Sequence, residues 1–172
     1  MNQQPENSDN ALEQARRQKM AKLEELGVDP WGSRFDDRTL IGDIREQESQ
    51  IVYRKEDGEA LPLPLVDPEE PHGFRQWLAD QGAGEMVGPQ VRAAGRVMLH
   101  RNKGKLQFID IKDWTGKIQL FIGRKQVGEE NWELINCIDL GDLIGVDGEL
   151  RRTKTGELSI FCLLYTSPSP RD

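Results

Sequence analysis

Val91-Arg92-Ala93-Ala94-Gly95-Arg96-Val97-Met98-Leu99, then Lys105-Leu106-Gln107-Phe108-Ile109-Asp110-Ile111-Lys112, then Lys117-Ile118-Gln119-Leu120-Phe121-Ile122 is the stretch that decides the fold. Its apolar residues recur at every second position, the signature of half-buried strands. The first strand places Val91, Ala93, Gly95, Val97 and Leu99 on one face. After a turn at Asn102-Lys103-Gly104, the second places Ile109 and Ile111 inside. After a second turn, Asp113-Trp114-Thr115-Gly116, the third places Ile118, Leu120 and Ile122 inside.

Working outward, Glu129 to Cys137 reads as a short helix. A fourth strand points Ile144, Val146, Gly148 and Leu150 inward. A turn at Thr153-Lys154-Thr155-Gly156 leads to a fifth, with Leu158 and Ile160 inward. Three strands, a helix and two more strands is the order of an OB-fold. The fold expected is therefore mainly β: a five-stranded OB-fold barrel over 91–161, with a helix between its third and fourth strands.

Upstream, residues 1–9 are polar and read as unstructured. A helix is expected from Ala11 to Leu26, capped by Asn10, with a stripe of Leu12, Ala15, Leu23 and Leu26 and with Gly27 just past its end. This N-terminal helical segment occupies residues 1–50. Residues 51–90 alternate acidic and proline-rich stretches and read as a partly ordered insertion or linker, with a short helix near Phe74 to Asp80. Residues 162–172 read as an aberrant tail that is not native.

The 172 residues carry a formal net charge of −7. That charge is unevenly placed: residues 1–87 hold 10 basic and 19 acidic side chains, residues 88–161 hold 12 and 10. The barrel is mildly basic, which permits an RNA partner. No apolar run approaches the roughly 20 residues of a membrane span, so no membrane partner is expected. Cys137, Cys162, His72 and His100 are not spaced as metal ligands, and His100 reads as a surface residue. Trp31, Trp77, Trp114 and Trp132 read as core or lid residues. Gly82-Ala83-Gly84 lacks the lysine and the strand–helix context of a phosphate loop. No catalytic constellation is visible.

Strand alternation puts Leu106, Phe108 and Asp110 outside on the second strand, Gln119 and Phe121 on the third, and Arg92 and Arg96 on the first. Phe108 offers a π-face to an unstacked base. Gln119 carries a donor and an acceptor for a base edge, and Arg96 can pair with a phosphate or a base carbonyl. Arg101, Lys103 and Lys105 at one turn, and Arg151, Arg152 and Lys154 at another, are candidates for a phosphate backbone.

Ala94-Gly95-Arg96-Val97-Met98, Gly104-Lys105-Leu106-Gln107-Phe108, Gly116-Lys117-Ile118-Gln119-Leu120-Phe121, Asp139-Leu140-Gly141-Asp142-Leu143-Ile144-Gly145-Val146 and above all Arg152-Thr153-Lys154-Thr155-Gly156-Glu157-Leu158-Ser159 resemble, in order and spacing, the class II lysyl-tRNA synthetases of bacteria. So does Leu26-Gly27-Val28-Asp29-Pro30 with Arg34-Phe35. The resemblance spans residues 11–45 and 91–161. Aspartyl- and asparaginyl-tRNA synthetases share the barrel with its phenylalanine and glutamine, but the Gly-Val-Asp-Pro and Thr-Lys-Thr-Gly-Glu-Leu-Ser runs favour the lysyl member.

The resemblance implies binding of the lysine tRNA anticodon loop: Phe108 stacking on the central uridine, Gln119 reading its edge, Arg96 assisting, and Glu157 near the first anticodon base. It implies that the full-length enzyme is a cytoplasmic homodimer that uses ATP and Mg²⁺ to charge tRNA with lysine. The class II motifs that bind ATP and lysine are absent here, so this chain is expected to bind without catalysing and to need no cofactor. The alternatives are a stand-alone single-strand-binding OB protein, a part of an aspartyl- or asparaginyl-tRNA synthetase, and a structural piece that binds no nucleic acid.

Overall fold

A computed structural model describes residues 6–67 and 69–169. In chain order they form α1 (Glu6–Glu25), α2 (Ile41–Glu46) with a 3₁₀ turn (Gln47–Gln50), β1 (Val52–Lys55), β2 (Ala60–Pro62), α3 (Pro71–Asp80), β3 (Gly84–Val87), β4 (Gln90–Lys103), β5 (Leu106–Lys112), β6 (Lys117–Gly123), α4 (Arg124–Asn136), β7 (Leu143–Arg152) and β8 (Leu158–Ser169). The last five strands close into a barrel of order β4-β5-β6-β8-β7. All neighbours are antiparallel except β6 and β8, which run parallel through Gln119↔Ser159 to Phe121↔Phe161. This is the OB-fold barrel expected from the strand order, with α4 between the third and fourth strands.

The inward residues are those of the alternation, with one exception. Ala93, Val97, Ile109, Ile111, Ile118, Leu120, Ile122, Ile144, Val146, Leu150 and Ile160 are all buried. Leu99, expected inside, is exposed. The register explains it: Val97 pairs with Ile111, but Leu99 pairs with Asp110, leaving Met98 as an extra residue. A bulge of this kind reverses which side chains point inward. Beyond it His100 faces inward, and Leu99, Arg101 and Lys103 turn to the outer face. His100 is therefore not a surface residue: it is half-buried, with Nε2 2.5 Å from Oε1 of Gln107. Gln107, fully buried, donates in turn to Oδ1 of Asn136 at the end of α4, so this polar trio is satisfied beneath the helix.

α4 is two helical pieces meeting at Gly128, whose φ of 81° and ψ of 167° break the helix; the second begins at Glu129, as expected, and a further piece precedes it. Its Val127, Trp132, Leu134 and Ile135 join the barrel core. Of the other tryptophans, Trp114 and Trp31 are exposed rather than core, and Trp77 packs edge-on against Tyr53. Cys162 lies in the core; burial pushes its thiol up to about 12, so it remains a protonated apolar side chain.

α1 begins at Glu6, not after Asn10, because no glycine or proline between Glu6 and Glu25 stops it. Residues 1–5 of the segment expected to be unstructured, and 170–172 of the tail, lie outside the described residues. Only the last turns of α1 dock: Leu23 is buried, Leu12 exposed, and Lys19 and Lys22 pair with Asp139 and Glu133. Gly27, at φ 75°, ends the helix as expected, and Val28 N–H reaches back to Leu23 O.

The proline-rich stretch, read as a partly ordered insertion or linker, is folded. It folds into an antiparallel sheet of order β2-β1-β3 covered by α3, with Ile51, Tyr53 and Phe74 buried. It is fastened to β7. Leu150 N–H donates to Pro89 O, Gly88 N–H donates to Oε1 of Glu149, and Val66 packs under Gly156.

Candidate nucleic-acid interface

β5, β6 and β8 present one outward aromatic surface. Phe108 meets Phe121 edge-on with centroids 5.3 Å apart, and Phe121 stacks on Phe161 at 4.4 Å. The register causes this: Phe108↔Phe121 and Phe121↔Phe161 are direct cross-strand partners, and partners share a face. All three rings are half-buried, and with Leu106 they form the apolar floor of a cavity of about 620 Å³.

The polar side of the cavity is Gln119 and Arg101. Gln119, 9% exposed, donates from Nε2 to Ser159 Oγ at 3.0 Å and accepts at Oε1 from Arg101 at 3.0 Å. Ser159 passes the bond on to the backbone oxygen of Glu157. Arginine has donors only, so the amide can face just one way. Arg101 also lies over the Phe108 ring at 5.7 Å, as does Lys103 at 6.0 Å.

The rim is the β7–β8 turn. Lys154 and Glu157 are exposed at the cavity mouth beside Thr153 and Thr155. Arg152 also lines the cavity, but it is buried: it pairs with Glu48 and donates to Gly156 O. Burial pulls its guanidinium below the usual arginine value, without discharging it.

Phe108, Gln119, Glu157, Arg101, Lys103, Arg152 and Lys154 are thus brought together. Arg96, Lys105 and Arg151 do not line the cavity. Arg96 lies midway along β4, before the bulge and opposite Lys112 at the end of β5, and donates to Gly141 O at 2.8 Å. Arg151 pairs with Glu149 at 2.6 Å and lies over Phe161 at 5.7 Å, supporting the aromatic floor. Burial pushes the Glu149 carboxyl up, but the bonds from Arg151 and Gly88 outweigh it and hold it below its ordinary range. Two lining residues escape sequence reading. Phe161 was detectable by alternation, since Ile160 beside it points inward. Met86, which comes from β3, had no sequence signal.

Residues 91–166 match the family model for an OB-fold nucleic acid binding domain of the tRNA anticodon type. The barrel has the OB-fold of that family. The chain carrying this OB domain is 38% identical over 159 residues to lysine–tRNA ligases of Staphylococcus aureus, strains N315 and USA300 among them, in each case over 90% of this chain and 27% of the relative. It therefore spans about a quarter of the length of these curated relatives. Among the described residues no group of histidine, cysteine, aspartate or glutamate side chains could hold a metal ion, and no helix is long and apolar enough to cross a membrane.

Proposed function

We propose that this chain binds the anticodon loop of lysine tRNA, as the N-terminal portion of a cytoplasmic lysine–tRNA ligase. The observation that carries the reading is the convergence, in one cavity, of an aromatic floor, an amide of fixed orientation and a guanidinium held against it. An unstacked base lies on Phe108, gaining about 1–3 kcal/mol from stacking. Uracil presents the O4 acceptor beside the N3–H donor. O4 accepts from Arg101, and N3–H donates to the free lone pair of Gln119 Oε1. Cytosine would set its amino group against the Arg101 donors, leaving a buried donor unpaired, a loss of about 1–3 kcal/mol.

Arg101 takes the assisting role for which Arg96 was a candidate, because Arg96 does not reach the cavity. Glu157 and Lys154 at the rim serve a neighbouring anticodon base and the phosphate backbone, with Lys103 on the opposite side. Residues 1–50 and 91–161 are the helical segment and the anticodon-binding domain of such an enzyme. In such an enzyme the portion would serve a full-length homodimer that charges tRNA with lysine using ATP and Mg²⁺.

The deciding experiment titrates the chain with a lysine-tRNA anticodon stem-loop and with the same loop carrying cytidine at its centre. Preference for uridine, lost in Phe108→Ala, is expected. Equal affinity for both loops would replace anticodon reading with binding of single strands in general.

A further inference from the structure

Every residue lining the cavity belongs to the barrel except Met86, which stands on β3 of the small sheet. Its position is fixed by its neighbour on the sheet. Met86 is the direct cross-strand partner of Tyr53, so the two side chains share a face. Tyr53 is buried and doubly held: its hydroxyl donates to Gly82 O at 2.7 Å, and its ring meets Trp77 of α3 at 5.9 Å. Trp77 stacks in turn on Phe74. The sheet is tied to the cavity's rim as well. Val66, in the segment between β2 and α3, packs on Gly156 of the β7–β8 turn, where any added Cβ would collide with it. Glu48, just before β1, pairs with Arg152.

We propose that the β1–β3 sheet is a third wall of the nucleobase cavity, and that Met86 is a further base-contacting residue whose thioether packs against the base stacked on Phe108. Methionine suits the place: its unbranched, polarisable side chain follows an irregular aromatic surface and gains from sulfur–ring contact. The segment around it is acidic, with Glu56, Asp57, Glu59, Asp67, Glu69, Glu70, Asp80 and Glu85 against Arg54, Lys55 and Arg75. Backbone phosphates are therefore kept from the small sheet, and its contribution is confined to the apolar contact with the base. Only a base turned out of its stack can reach a wall on that side, so the sheet favours an open loop over a duplex.

This inference rests on the RNA-binding reading above, and its test separates the two. The whole chain, Met86→Ala, Met86→Leu and Phe108→Ala are titrated with the uridine-centred stem-loop and with a loop whose central nucleotide is abasic. Thermal melts of each variant check that the fold is kept. Met86→Ala is expected to bind the intact loop about threefold to tenfold more weakly and the abasic loop as the parent does, with Met86→Leu recovering most of the loss. In a chain labelled at methionine methyls, the Met86 methyl signal is expected to shift with the intact loop and not with the abasic one. Unchanged affinity of Met86→Ala beside a weakened Phe108→Ala overturns the third wall and leaves RNA binding standing. A parent chain that binds neither loop overturns both.

Discussion

The Arg101 guanidinium donates to Oε1 of Gln119 at 3.0 Å while lying 5.7 Å from the centroid of Phe108. One cation thus orients the amide and covers the ring. It reaches both only because Met98 bulges out of β4, placing Arg101 opposite Phe108 on the outer face. Replacing Arg101 by alanine frees the amide to flip. The ratio of affinities for uridine-centred over cytidine-centred loops should fall about tenfold, the worth of one charge-assisted hydrogen bond. Arg101→Lys should restore little of it, because a point charge cannot hold the amide and face the base together. Parallel titrations of the two loops measure this ratio.

Phe108→Ala should weaken binding of the intact stem-loop by about 1–3 kcal/mol, roughly 5- to 150-fold. Thermal stability should change little, since the ring is half-buried on the outer face and not part of the core. A melt shifted as far as that of a core variant such as Leu120→Ala, where about 2–5 kcal/mol is expected, would mean that Phe108 holds the barrel and not a base.

Lys103→Ala and Lys154→Ala should weaken uridine- and cytidine-centred loops equally. Each should also lower the slope of log affinity against log salt by about 0.7, the value for one phosphate contact on a single strand. Titration at four salt concentrations gives the slope. An unchanged slope would place both lysines off the backbone path.

Arg152 joins the 3₁₀ turn before β1 to the rim turn through Glu48 and Gly156 O. Arg152→Ala leaves Gly156 O without its donor. Glu48 is 42% exposed and rehydrates, so the loss should be about 1–3 kcal/mol, below that of a fully buried pair. Urea unfolding should show it as a lower midpoint at constant m.

Asp113 sets an acid limit. Burial pushes its carboxyl up, but donors from Ile41 N–H, Thr115 N–H and Oγ–H, and Gly116 N–H outweigh that and hold it below its ordinary value of 3.8. A carboxyl whose pKa is lower folded than unfolded contributes stability that is present above the unfolded pKa and lost as pH falls through the folded one. Stability should therefore drop below about pH 4. In Asp113→Asn the drop should be shallower and start from a lower plateau. Unfolding free energies between pH 2 and 6 provide the test.

Period-two alternation alone yields the barrel, its strand order and nearly all its inward residues, because a strand half-buried on a closed sheet has no other way to place its apolar side chains. It also yields Phe108 and Gln119 as outward neighbours, since a face is fixed by parity. Parity fails at Met98, where a single unpaired residue exchanges inside for outside. Leu99, His100 and Arg101 consequently take sides that no local pattern announces, and Arg96, before the bulge, does not line the cavity. The small sheet was illegible for another reason: its strands are three or four residues long, too short for a period to emerge amid prolines and acids. Its order comes from Tyr53 meeting Trp77, which stacks on Phe74, a contact between residues about twenty positions apart. Met86 enters the cavity through that tertiary packing alone. The sequence by itself determined the barrel and the aromatic–amide pair on its outer face. Tertiary structure decided which arginine completes the site and which distant side chain closes it, because both depend on where one strand slips and where another sheet docks.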